Sequence, residues 1–260
     1  MSAVAGTPRV GPLLRDWRHR RRLSQLDLAL EAGVSTRHLS FIETGRARPS
    51  ADMVLHLAER LEVPLRERNA LLLAAGHAPV FGQHELDSPE LEPVRAALDG
   101  VLAAHEPFPA LAVDRHWGMV ASNRAVAPLI AGADPSLLEP PVNVLRLSLH
   151  PDGLAPRIVN LSEWRGHLLG RLAREAAATG DPALASLHDE LAALPGPLPK
   201  PAPPPALAVP LRLRAGDAEL LLLSTVTTFG TATDVTLAEL SVEAFLPGDA
   251  ATARALRTGV

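Results

Sequence analysis

Between Leu13 and Ala75, apolar residues recur at three- and four-residue spacing in five short runs, the first ending before Ser24 and the others closed by Gly or Pro. Leu13, Leu14 and Trp17 mark the first run. Ser24 stands where it can cap the second, with Asp27 three residues on as its partner, and Leu26, Leu28, Ala29 and Leu30 carry the run to Gly33. Ser35 opens a third, with Leu39 and Ile42 on its inner face and Gly45 at its end. Ser50 opens a fourth holding Met53, Leu57 and Leu61, and after Pro64 a fifth runs to about Ala75. Five such helices predict a compact bundle.

The pattern changes after Gly76. Pro79, Gly82 and Pro89 mark a linker, placed at 81–90, between a head over 1–80 and a body over 91–260. In the body, Leu91–Ala104 is amphipathic, and alternation across Ala110–Ser122 around Asp114-Arg115-His116 predicts a hairpin. Helices are predicted over about Arg124–Ile130, Val142–Leu149, Ser162–Ala178 with Ser162 as its cap, and Asp181–Leu194. The eight prolines of 195–210 argue for an exposed loop. Strands over Ala218–Phe229 and Val235–Phe245 and a helix over Ala250–Leu256 complete an α+β body without internal repeats.

Composition sharpens this picture. Aromatics are 3% of 260 residues and Tyr is absent, so the core must be built from Leu, Ala and Val. No apolar run approaches the roughly 18 residues of a membrane span, which predicts no membrane partner. Cysteine is absent, which excludes disulfides, thiol catalysis and Cys-based zinc sites and points to the cytoplasm. Residues 1–80 carry 12 arginines against 8 acids, net +4, whereas 81–260 carry 13 basic against 21 acidic residues, net −8. A basic head on an acidic body is a charge split often found in nucleic-acid binders.

The stretch Ser24–Gly45 has the length of a helix–turn–helix that reads DNA. Ala29 is small where a second helix must cross, Gly33 supplies the turn, and Val34, Leu39 and Ile42 anchor the reading helix. Thr36, Arg37, Ser40 and Phe41 are left pointing outward. Residues 11–76, through Glu43, Gly45 and Pro49-Ser50, resemble the repressor-type helix-turn-helix domain of phage repressors and the XRE family. The resemblance implies that Gln25 bonds a phosphate. It further implies that Thr36 and Arg37 face base edges beside Ser35 and Ser40, and that Arg46 and Arg48 contact phosphates. Arg18 and Glu43 would form an internal ion pair. His38 either touches DNA or is a solvated surface residue.

A second set of segments lies in the body: Asp114-Arg-His-Trp117, Ala121-Ser-Asn123, Asn143-Val-Leu-Arg146, His150-Pro-Asp-Gly153, Ile158-Val-Asn160, Thr227-Thr-Phe-Gly230 and Phe245-Leu-Pro247. It is similar to the MmyB-like ligand-binding domain that follows an XRE-type head in bacterial regulators. That resemblance implies a PAS-like sensor with a buried apolar pocket for a fatty acid or similar molecule. Trp117, Asn123, His150, Asn160, Trp164, Leu168 and Phe229 are pocket candidates, with Arg146, His150 or Asn160 available to receive a carboxylate. The alternative places Trp117, Trp164 and Phe229 in the core, with Asn160 bridging backbone.

No nucleophile elbow, phosphate-binding loop or zinc-protease pair occurs, so no enzyme, cofactor or metal is expected. A Pro-Asp-Gly turn accounts for Asp152 beside His150. The expected function is a homodimeric transcription regulator that binds a double-stranded operator and responds to a small apolar or acyl ligand. The competing reading is an enzyme or carrier of a hydrophobic molecule with a DNA-binding head.

Overall fold

Serine caps set the helices of the first unit. In the computed structural model, which describes residues 9–198, 208–216 and 218–259, these are α1 (Val10–Arg20), α2 (Gln25–Glu31), α3 (Thr36–Glu43), α4 (Ala51–Arg60) and α5 (Leu65–Ala75). The Ser24 hydroxyl accepts the Asp27 N–H at 3.1 Å while the Asp27 carboxylate accepts the Ser24 N–H at 2.8 Å, so both orphan donors are answered reciprocally. Ser35 and Ser50 accept the N–H of His38 and Met53 in the same way. The described residues up to Gln83, with Thr233–Val235, form one compact unit, and the remainder form a second.

The core of the first unit is aliphatic: Leu14, Leu28, Leu39, Ile42, Leu57, Leu61 and Leu72 are buried around Trp17 and Ala29. α1 meets the end of α3 at Gly11, where a Cβ would stand 2.5 Å from the Glu43 carbonyl oxygen and 2.6 Å from that of Ile42. Only glycine lets the two backbones approach this closely.

The second unit is built on five antiparallel strands: β1 (Ala110–Val113), β2 (Met119–Ser122), β3 (Leu211–Ala215), β4 (Ala218–Thr228) and β5 (Ser241–Pro247), in the order β2-β1-β5-β4-β3. Side-chain alternation gives the sheet two different faces. On one face Ala110, Ala112, Val242 and Ala244 are short and lie under Leu98 and Leu102 of α6 (Glu92–Ala104). On the other, Leu111, Val113, Leu213, Leu220 and Leu222 pack with leucines and Trp164 of α9 (Leu161–Thr179) and α10 (Pro182–Ala193). Short helices α7 (Ala127–Ile130) and α8 (Val144–Leu149) close that layer, α11 (Val235–Ala238) precedes β5, and α12 (Ala250–Thr258) follows it. Among the described residues no helix is long and apolar enough to cross a membrane.

Four expectations change. The stretch expected as one strand from Val235 splits into α11 and β5, because the ladders to β1 and β4 begin only at Ser241. Upstream, the N–H groups of Glu239 and Leu240 bond locally to Thr236 and Leu237 instead. β3, not foreseen, follows the prolines and alternates Leu211, Leu213 and Ala215 inward. Ser162 does not cap α9; the helix starts one residue earlier, and the Ser162 hydroxyl donates to the Leu198 carbonyl at 2.5 Å. Only the second half of the Arg124–Ile130 stretch is helical. Residues 199–207 of the expected proline-rich loop lie outside the described residues.

Gly11→Ala forces α1 away from α3 and is expected to cost about 1–3 kcal/mol. Circular dichroism melts of the full chain should show a lowered Tm for the variant.

Candidate functional site

α3 is amphipathic by construction. Leu39 and Ile42 are buried, which leaves Thr36, Arg37 and His38 exposed and Ser40 half-buried. The Arg37 guanidinium lies 5.3 Å from the centroid of the half-buried Phe41 ring, and that of Arg46 lies 6.0 Å from it. One aromatic ring thus restrains two cations. Arg48 is exposed in the loop that follows, and the Ser35 hydroxyl is occupied as the cap of α3. The result is an exposed surface of hydroxyl and guanidinium donors suited to phosphates and base edges.

Behind that surface lies the Arg18–Glu43 pair. Arg18 Nε donates to Glu43 Oε1 at 2.7 Å and Nη2 to Oε2 at 2.9 Å, with side-chain exposures of only 7% and 2%. Arg18 Nη1 also donates to the Leu23 carbonyl at 2.9 Å. The half-buried Gln25 donates its amide nitrogen to Glu43 Oε2 at 2.7 Å, tying α2 to α3. Burial opposes ionisation of Glu43, but the bonds from Arg18 and Gln25 and the charge of Arg18 outweigh it and hold the carboxyl below its ordinary 4.5.

In the second unit, the leucine-rich sheet face and α7, α8 and α9 leave a cavity of about 70 Å³. Its walls include Leu111, Met119, Ile130, Val144, Leu213 and Phe245, and from the expected set it takes Trp164 and Leu168. Its polar lining side chains are Ser148, whose Oγ accepts the Trp164 indole N–H at 3.0 Å, and Glu243. Glu243 is buried and paired with the Arg171 guanidinium. Arg171 Nε also donates to Glu175 Oε1 at 3.0 Å, and its guanidinium lies 4.3 Å from the Trp117 ring centroid. Burial pushes the Glu243 carboxyl above its ordinary value; Arg171 offsets part of this, and neighbouring Glu175 adds to it.

The other six expected pocket residues lie elsewhere, for reasons the bonding makes plain. Asn123 is a buried clasp: its Nδ2 donates to the carbonyls of Leu102 and Phe108, and its Oδ1 accepts the Ala110 N–H. Asn160 bridges backbone, donating to Pro210 and accepting from Arg212. Arg146 is exposed and paired with Glu190 at 2.6 Å. His150 accepts the Asp152 N–H at 3.1 Å, 3.7 Å from that carboxylate, and no metal-binding cluster forms among the described residues. Trp117 is buried with its indole N–H given to Glu175, and Phe229 follows the end of β4, half-buried.

Glu243 and Ser148 were not anticipated. The available signal was parity: in an alternating β5, Glu243 shares a face with Phe245, so a charged residue occupies an inward position.

A basic helical head that presents such a surface, joined to a separate α+β unit with an apolar cavity, defines a DNA-binding transcription regulator with a ligand-binding domain. Residues 14–68 match the family described as helix-turn-helix, and residues 94–258 match that described as MmyB-like transcription regulator ligand binding domain. The chain therefore belongs to the MmyB-like family of transcription regulators, with an XRE-type head. Comparison with curated proteins returns no match.

Arg18→Ala leaves Glu43 buried without its cation and is expected to cost about 3–5 kcal/mol. Because the folded-state carboxyl lies below its ordinary 4.5, its stabilising contribution is complete above that value and is lost as pH falls through the lowered pKa. Urea melts from pH 6 down to about pH 3 should show wild type losing more stability than Glu43→Gln over that interval.

Proposed function

We propose that the chain binds its operator as a homodimer through α3, and that a small apolar ligand in the cavity of the second unit alters operator affinity. The single observation behind the ligand reading is a leucine-lined cavity with two polar groups inside a ligand-binding domain. Aliphatic walls suit a hydrocarbon chain, whether of a fatty acid or of a related molecule. The five-stranded antiparallel sheet with helices packed on it supports the PAS-like reading of this unit.

Size supplies a mechanism. A cavity of about 70 Å³ is roughly half the ~150 Å³ that admits a benzene ring. A longer chain must displace wall groups such as Met119, Val144 and Phe245, which are only partly buried. Occupancy and wall arrangement are then coupled, which is the differential affinity a ligand needs to shift a regulator between states.

On the DNA side, Arg37 is the base-reading candidate, beside Thr36, Ser40 and His38. Arg46 and Arg48 are phosphate contacts, and Ser35 positions the helix. One head covers a few base pairs, so useful specificity requires two heads on a pseudo-palindrome.

Arg37→Ala should cost about 1–3 kcal/mol on the selected operator and relax specificity there. Arg46→Ala should weaken operator and random DNA alike and flatten the salt dependence by about one unit of log slope. Operators selected from random DNA, followed by fluorescence anisotropy across a salt series, measure both effects. Filling the cavity with Leu168→Trp should abolish any change of operator affinity produced by 1-decanol or decanoate while leaving unliganded DNA binding in place. A ligand response that survives this substitution contradicts the cavity assignment.

A further inference from the structure

The charge inside the cavity has the opposite sign to the one a fatty-acid site requires. Among its lining residues Glu243 alone is ionisable, and no Arg, Lys or His lines it. Arg146, His150 and Asn160, the groups suited to receiving a carboxylate, are engaged elsewhere. The Glu243 side chain is 9% exposed, and its Oε1 accepts from Arg171. Its Oε2 accepts no hydrogen bond among the described residues. An ionised carboxylate has about four acceptor positions, so Oε2 keeps capacity for a donor.

Arg171 does not reverse the local sign, because it is shared. Its Nη1 serves Glu243, its Nε serves Glu175, and its planar face rests on Trp117. With both acids ionised, two carboxylates and one guanidinium leave the group with a net negative charge. His167, one turn before Arg171 on α9, adds no compensating charge, since burial and the charges of Arg171 and Arg174 hold its pKa down. A ligand carboxylate brought against Glu243 therefore meets like charge in a desolvated site, whereas a hydroxyl or ammonium meets an open acceptor. Ser148, whose oxygen takes the Trp164 N–H, keeps its own hydrogen to give to an acceptor on the same ligand.

We propose that Glu243 is the polar anchor of the cavity and that it selects an apolar molecule ending in an uncharged or cationic hydrogen-bond donor, a long-chain alcohol or primary amine, over one ending in a carboxylate. This inference rests on the cavity being the ligand site.

Isothermal titration calorimetry of the full chain with 1-decanol and with decanoate tests it. Wild type is expected to bind 1-decanol about ten-fold or more tightly than decanoate. Glu243→Gln, which removes the charge and keeps the shape, is expected to reduce that ratio to about three-fold or less, chiefly through tighter decanoate binding. Should Glu243→Gln fail to fold, the wild-type ratio decides alone. Decanoate binding wild type as tightly as 1-decanol, with both abolished by Leu168→Trp, overturns the anchor and leaves the cavity standing. Absence of binding by either probe overturns the anchor and the cavity together.

Discussion

A carboxylate taken out of water loses hydration worth several kcal/mol, and it remains inside a fold only where a cation and directed hydrogen bonds replace that water. Each of the two units is organised around one such replacement. In the head, Glu43 ends α3 and meets a bidentate Arg18 from α1 and the Gln25 amide from α2, so a single buried group fixes three helices against one another. The absence of a Cβ at Gly11 lets the α1 and α3 backbones come close at the same place. The exposed donors of α3 are held in register by this buried charge together with the apolar contacts of Leu39 and Ile42.

The second unit uses the same principle with a different balance. Glu243 is answered by a guanidinium that also serves Glu175, and the carboxyl is pushed above its ordinary value where that of Glu43 is held below. The difference follows from the partners: Glu43 has an arginine and an amide directed at it, Glu243 a shared arginine and a second acid nearby. A less completely satisfied group is poorly suited to stabilising a core, and it stands where the apolar wall is interrupted.

The Arg171 cluster also reaches the β1–β2 turn. Trp117 adopts a φ of +66°, a region that bulky residues seldom occupy, and it is held there by the guanidinium over its ring, its indole bond to Glu175 and its backbone bonds to Asp114 and Val144. The cavity wall and a strained turn therefore share one set of bonds. Elsewhere the unit is mainly leucine and alanine, with short residues under α6 and leucines under α9 and α10, so its packing has few rigid rings to resist a change of wall shape.

Local chemistry decided most of the head, and there the sequence alone was sufficient. Caps at Ser24, Ser35 and Ser50, turns at Gly33 and Gly45, and helical spacing of Leu28, Leu39, Ile42 and Leu57 act within one or two turns of chain, so they are legible without knowing what packs where. The hairpin at Ala110–Ser122 and helices α9 and α10 were legible for the same reason. The cavity was not. Its walls come from strands and helices more than 130 residues apart in sequence, and the polarity that matters there belongs to Glu243 and Ser148, set inward by sheet parity and helix packing rather than by any local motif. Asn123, Asn160 and Arg146 looked like recognition groups because polar residues in distinctive segments suit a site equally well as a clasp, a bridge or a surface pair. Only the tertiary structure shows which partners reach them, because a buried hydrogen bond depends on what lies opposite and not on what lies beside it in sequence.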